Sequence, residues 1–274
     1  MILVTGGNGF VGRQVVRILA DEKVPLRLVL REGSSQSLGF APPGDVIETP
    51  DLFRAEPAWW SRALDGIETV LHLAWYAEPD RYLTSATNLD CLRGTLNLAQ
   101  AAIEAGVRRF VGIGTCAEYE LSQDILHPDS PINPQTLYAA CKASTFQVLR
   151  HLLPDAGIEF AWCRLFYLYG EGEDPRRLVP YLRQQLSRGE PAELTAGSQI
   201  RDFIDVREAG SMIARIAIGD QEGPTNICSG IPETVRHLAE QIADEYGRRD
   251  LLRFGARPDN LFDPPCVIGF RDDL

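Results

Sequence analysis

The segment TGGNGFVG, residues 5–12, constrains this chain more than any other stretch. Three of its glycines, Gly6, Gly9 and Gly12, lie three apart, follow an apolar run at Met1–Thr5 and lead into Val11–Ala20, where apolar residues recur at helical spacing. Glycine lets a backbone turn tightly, come close to a phosphate and then pack a helix on a strand. The first turn of that helix carries N–H groups without intrahelical partners, and these attract an anion. Strand, glycine loop and helix in direct succession open a βαβ unit of the kind that binds a dinucleotide.

The alternation continues downstream. Short apolar runs at Leu26–Leu30, Val46–Glu48, Thr69–Leu73, Arg109–Gly114 and Glu159–Leu165 read as strands. Thr87–Ala105 is rich in Leu and Ala and ends at Gly106, and a further helix is expected from Tyr138 to Leu153, closed by Pro154. Strands alternating with helices give an α/β fold, a Rossmann-type doubly wound parallel sheet. After Leu165 the pattern loosens into shorter elements at Arg176–Arg188, Ala192–Ala196, Gln199–Val206, Glu208–Ile218, Pro224–Cys228 and Thr234–Tyr246. The expected division is a dinucleotide-binding domain over residues 1–165 and a smaller substrate lobe over 166–274, with no low-complexity linker between them.

Composition narrows the function classes. At 274 residues and 45% hydrophobic, the chain has enough apolar surface to hold a core without disulfides or metal. A formal net charge of −11 argues against nucleic acid as a partner, since that binding rests on cationic neutralisation of phosphates. The six cysteines, Cys91, Cys116, Cys141, Cys163, Cys228 and Cys266, form no C-x-x-C pair and share no metal-ligand spacing, so six thiols in a reducing compartment are expected, and no metal. A strand begins at once at the N-terminus, and no run approaches the ~18 apolar residues of a membrane span. These features point to a cytoplasmic protein without membrane contact.

The end of the second strand bears on cofactor choice. An acidic residue there bonds an adenosine ribose, whereas an arginine accommodates a 2′-phosphate. Here the strand is followed by Arg31, Glu32, Gly33, Ser34 and Ser35. A guanidinium and two hydroxyls favour NADP(H), while Glu32 keeps NAD(H) open. Farther along, the strand Arg109–Gly114 delivers Thr115 at its C-terminal end, where open α/β sheets place their ligands. In LYAACK, Tyr138 and Lys142 lie four apart and so share one helix face. An ammonium beside a phenol stabilises the phenolate and makes the phenol a proton donor and acceptor near neutral pH.

A dinucleotide loop, a hydroxyl at the end of the fifth strand and Y-x-x-x-K together resemble the extended short-chain dehydrogenase/reductase family, in particular its nucleotide-sugar epimerases, dehydratases and 4-ketoreductases. The resemblance covers nearly the whole chain, through TGGNGFVG, Asp51–Leu52, HLA at 72–74, GTLNLAQAA at 94–102, GTCAEYE, YAACK, RLFYLYG, RRLVP and RDFIDV. It implies Thr115, Tyr138 and Lys142 as a catalytic triad. Gly6, Gly9, Phe10, Val11 and Gly12 would hold the pyrophosphate, Asp51 and Leu52 the adenine, and Ala74 and Lys142 the nicotinamide ribose side. Arg201 matches an arginine that contacts the substrate's nucleotide phosphates, a role that suits a bidentate guanidinium. The resemblance also implies a homodimer through the helices at 87–105 and 138–153, and a further turn and helix after a segment like FDPPCVIGFRDDL.

The chain departs from the family pattern at two places. Dehydratases carry an Asp–Glu pair after the catalytic Thr, where this chain has Cys116 and Ala117. Epimerases commonly have Asn where this chain has Tyr167, which is the third expected substrate contact beside Thr115 and Arg201. These departures favour an NADPH-dependent reductase of a nucleoside-diphosphate 4-keto-6-deoxy sugar, with an NAD-dependent nucleotide-sugar epimerase as the alternative and a non-catalytic dinucleotide sensor as a distant third. His72 is expected to pack at the end of the fourth strand, and Trp59 and Trp60 to cover the core from a short helix. His127, His151 and His237 show no ligand spacing. Asn88 reads equally as a helix-surface amide or as a group beneath the site.

Overall fold

The computed structural model describes residues 1–38, 44–121, 125–258 and 263–271. The first half runs β1 (Ile2–Thr5), α1 (Phe10–Asp21), β2 (Leu26–Arg31), β3 (Asp45–Thr49), α2 (Pro57–Ala63), β4 (Thr69–His72), α3 (Thr87–Glu104), β5 (Arg109–Thr115), β6 (Ile125–Leu126), α4 (Leu137–Asp155) and β7 (Glu159–Leu165). The rest runs β8 (Tyr167–Tyr169), α5 (Leu178–Arg188), β9 (Ala192–Glu193), β10 (Ile200–Asp205), α6 (Val206–Ile218), β11 (Gly223–Ile227), β12 (Pro232–Thr234), α7 (Val235–Glu245), β13 (Leu252–Arg253) and β14 (Cys266–Gly269). Residues 259–262 and 272–274 of the C-terminal stretch lie outside the described residues.

Seven strands form one parallel sheet in the order β11-β7-β5-β4-β1-β2-β3. Parallel strands need crossover helices, and these cover both faces of the sheet, so the strands are apolar on both sides. On one face Val15, Val16 and Leu19 of α1 meet Met212, Ile213 and Ile216 of α6 over β1 and β2. On the other, Leu98 and Ala102 of α3 and Phe146 and Leu149 of α4 pack on Val70, Phe110 and Phe160, with Trp60 of α2 fully buried at the margin. Strand order reverses between β1 and β4, which opens a crevice at the carboxyl ends of the strands.

The second half builds a small sheet, β12-β10-β14-β6, with β8 beside β10, over the end of that crevice. Its own core lies between α5 and α7, where Leu182 and Leu186 meet Leu238 and Ile242. One boundary differs from the sequence expectation: Pro154 sits inside the last turn of α4 instead of beyond it. So close to a helix end the proline ring forfeits only one backbone bond, and Leu153 O accepts instead from Ala156 N and Ile158 N at 3.1 and 2.9 Å. No helix among the described residues is long and apolar enough to cross a membrane.

Candidate active site

At the glycine loop Gly6 has φ +70°, and a Cβ there would lie 2.7 Å from Ala74 N. A Cβ on Gly12 would lie 2.1 Å from Gly6 O. The loop therefore closes on itself and against the end of β4 through contacts that any side chain would break. Gly9 caps α1 without a side-chain bond and its N–H donates to Gly6 O at 3.0 Å, while no acidic side chain stands in the first turn. The N–H groups at Phe10, Val11 and Gly12 are thus offered outward as an anion cradle, which fits a dinucleotide pyrophosphate. Ala74 is buried on the other wall, its N–H donating to Thr5 Oγ1 at 3.3 Å.

Arg31 is exposed at the end of β2 and makes no side-chain bond or ion pair among the described residues. Ser34 Oγ donates to Arg31 O at 2.6 Å and accepts from Asn8 Nδ2 at 3.3 Å, which ties this corner to the glycine loop. Asp51 caps the turn after β3, accepting from Phe53 N at 3.0 Å, and Leu52 is half-buried against the core. The turn is held against α3 because Gly94 has no side chain; a Cβ there would lie 2.4 Å from Phe53 Cα.

The far end of the crevice carries the polar chemistry. β5 ends at Thr115, 8% exposed, and Thr136 caps α4 so that Tyr138 and Lys142 face it on the first two turns. Thr115 Oγ1 accepts from Ala117 N at 3.3 Å and lies within hydrogen-bonding reach of the Tyr138 phenol. Burial pushes that phenol above its ordinary range, with Tyr82, packed edge-on at 4.9 Å, adding to the rise and Thr115 opposing it. The expectation that Lys142 sits at the phenol and lowers its pKa is not met here. Its Nζ donates to Ile113 O at 2.6 Å and lies 3.9 Å from the centre of the Trp75 ring, and desolvation brings the ammonium down to about 7. The shared helix face is real, but the long stem carries the charge beneath the phenol to the strand carbonyl.

Asn88 is fully buried, so the surface reading of this residue is corrected. Its Oδ1 accepts from Trp75 Nε1 at 2.8 Å and its Nδ2 donates to Tyr82 O and Ser85 O at 2.6 and 2.9 Å, fixing the loop that carries Trp75 and Tyr82. His72 bridges Thr5 Oγ1 and Thr95 Oγ1 at 2.8 and 2.9 Å, and burial drives it down to about 3, a neutral packing histidine at the end of β4. Toward the small sheet, Tyr167 and Arg201 meet, with the guanidinium 5.1 Å from the ring centre. Arg201 is 3% exposed, donates to Ile200 O at 2.7 Å and reaches Asp263 Oδ1 at 2.7 Å. The Cys116 thiol, pushed up to about 12 by burial, senses Arg201 and Asp202.

Sequence reasoning missed the layer beneath Thr115. Glu118, fully buried, accepts from Thr115 N at 2.9 Å, Trp162 Nε1 at 3.1 Å and Arg164 Nε at 2.7 Å. Arg164 goes on to Tyr119 OH and Pro128 O. The signal was present as charged residues at 118 and 164 inside otherwise apolar strand-end segments, a pattern that requires a buried partner.

A glycine cradle and a topological switch point define a dinucleotide-binding fold, with Thr115, Tyr138 and Lys142 at the far end of its crevice. The profile of the NAD dependent epimerase/dehydratase family matches residues 2–228, and the chain belongs to that family. Among its relatives is the dTDP-6-deoxy-L-talose 4-dehydrogenase (NAD(+)) of Aggregatibacter actinomycetemcomitans, 23% identical over 98% of both chains. The corresponding NAD(P)(+) enzyme of Kitasatospora kifunensis is 26% identical over 90% of this chain and 79% of that protein. The UDP-N-acetylglucosamine 4-epimerase of Methanobrevibacter ruminantium M1 shares the fold at a TM-score of 0.87, with 24% identity, 98% of this chain and 89% of that chain covered. The dTDP-glucose 4,6-dehydratase of Streptomyces venezuelae, solved with NAD bound, is 25% identical at a TM-score of 0.85, covering 98% and 88%.

Proposed function

We infer that the protein is an NADPH-dependent reductase of a nucleoside-diphosphate 4-keto-6-deoxy sugar, working through Thr115, Tyr138 and Lys142. The observation that carries this reading is the proton inventory at the end of β5. Thr115 and Tyr138 supply hydroxyls there, Cys116 and Ala117 occupy the next two positions, and the carboxylate of Glu118 is turned under the strand into Arg164. That set serves one proton transfer at one carbon and lacks the acid–base pair that eliminates water. When bound, the dinucleotide supplies a hydride to the carbonyl carbon. Thr115 and Tyr138 hydrogen-bond the carbonyl oxygen and Tyr138 delivers its proton as the oxyanion forms, with the Lys142 ammonium held at Ile113 O as the buried cation of the set.

Support for the substrate class comes from the two relatives named for 4-dehydrogenation of a dTDP-6-deoxy sugar, the same bond change run in the opposite direction. Arg31, exposed beside Ser34 and without a side-chain partner among the described residues, supports NADPH over NADH. Arg201 takes the diphosphate end of the substrate, and Tyr167, stacked beside it, is a further substrate contact. In the same reading the protein is cytoplasmic, and a second copy covers the outer faces of α3 and α4, where Leu89, Val148 and Leu152 are exposed.

The test is to supply NADPH and a panel of dTDP- and UDP-linked 4-keto-6-deoxy sugars and follow the nicotinamide absorbance. Stoichiometric consumption is expected. Interconversion of alcohol sugars without net change in cofactor would replace the reductase by an NAD-dependent epimerase using the same three side chains.

A further inference from the structure

We propose that Glu118 is a positioning residue, whose buried carboxylate sets the direction of the Thr115 hydroxyl and balances the buried ammonium of Lys142. The inference rests on the reading of Thr115, Tyr138 and Lys142 as the reacting group. It starts from a steric fact: a Cβ on Gly114 would lie 2.2 Å from Trp162 Nε1 and 2.4 Å from Glu118 Oε1. The chain leaves out a side chain at 114, and the space is filled by the indole and the carboxylate directly behind Thr115.

Glu118 and Thr115 form a reciprocal cap. The carboxylate accepts Thr115 N–H, and Thr115 Oγ1 accepts Ala117 N–H. With a lone pair of the hydroxyl committed to that backbone donor, its proton is directed away from the turn, toward Tyr138. A threonine held this way donates to an oxygen lying beside the phenol. Glu118 cannot swing, because Arg164 Nε holds its Oε2 at 2.7 Å and Arg164 itself is clamped between the rings of Tyr119 and Phe146, at 4.5 and 4.6 Å.

The same carboxylate reaches Lys142 through Trp162. The indole N–H donates to Glu118, and the indole ring lies 6.0 Å from Lys142 Nζ. The ionisable groups facing the carboxylate are Arg164 from β7, Cys116 and Tyr119 on its own turn, and Lys142 and Tyr138 from α4. Its negative charge favours the ammonium against the desolvation that brings Lys142 down to about 7, and disfavours the phenolate of Tyr138. Removing the charge therefore moves both groups to lower values.

The chain contains two lysines, Lys23 and Lys142, and Lys23 is exposed, so a lysine labelled with ¹³C at Cε gives two resonances that Lys142→Met assigns. In the wild type the Lys142 resonance should titrate near 7. In Glu118→Gln its midpoint should fall by about half a pH unit or more. Turnover of a 4-keto-6-deoxy sugar nucleotide should fall about tenfold or more in kcat with little change in KM, because Thr115 stays in place but loses its orientation. Glu118→Gln/Arg164→Gln removes both buried charges and avoids an uncompensated guanidinium; if the single variant does not fold, this one carries the same expectation for kcat and a smaller fall in the Lys142 midpoint, because the opposing cation leaves with the carboxylate. An unmoved Lys142 midpoint, or an unchanged kcat in a folded variant, would overturn the proposal. A wild-type protein that turns over no sugar nucleotide would count against the reductase reading, and the lysine titration would still decide the link between Glu118 and Lys142.

Discussion

The two ends of the crevice are built by different means. At the cofactor end the site is backbone: Gly6 and Gly12 pack where no Cβ fits, and the first N–H groups of α1 are left to bind. At the lobe end the site hangs on one buried side chain, Asp202, next to Arg201. Its Oδ1 accepts from Ser229 N and Ser229 Oγ at 2.7 Å, and its Oδ2 from Gly230 N at 2.9 Å and Gly269 N at 3.2 Å. It joins β10 to the turn after β11 and to β14. A backbone cradle is set by a few neighbouring residues, whereas the lobe is set by bonds across 27 to 67 positions of sequence. Binding phosphate through amides tolerates changes of side chain around it; binding through a placed arginine does not.

Substitutions can break this contrast in order of size. Tyr138→Phe, at the junction of the two ends, should lower kcat about a thousandfold while leaving dinucleotide affinity intact, measured by turnover and by nicotinamide fluorescence. Gly12→Ala forces a Cβ onto Gly6 O, and overpacking of this kind should weaken dinucleotide binding by up to about a hundredfold with sugar-nucleotide contacts untouched, measured by titration calorimetry. Asp202→Ala should do the reverse. It leaves four donors without their acceptor, one of them buried, and should cost about 2 kcal/mol in denaturant unfolding, with a raised KM for the sugar nucleotide and unchanged dinucleotide affinity. Arg31→Ala, at an exposed position, should shift the NADPH to NADH preference about tenfold toward NADH and leave stability unaltered.

The same contrast explains what the sequence makes legible. TGGNGFVG, the strand and helix alternation and the Tyr138–Lys142 spacing are local patterns, and the structure has the strands and helices they call for. The burial of His72 and Trp60 was equally readable, because each falls in an apolar run. What local pattern does not carry is where a long side chain ends. Lys142 lies on the expected face, yet its charge goes to Ile113 O and Trp75, and Asn88 turns inward to hold the loop that brings Trp75 there. The Glu118–Arg164 pair joins the turn after β5 to β7, and Asp202 spans three segments, so neither shows as a spacing.

The most direct test of the reductase reading is the fate of the transferred hydrogen. With NADPH deuterated at the transferable nicotinamide position and a dTDP-linked 4-keto-6-deoxy sugar, the product examined by mass spectrometry and NMR should carry one deuterium, at C4, for each cofactor oxidised. Product that forms without deuterium, or a sugar whose configuration changes while the labelled cofactor stays reduced, would contradict it.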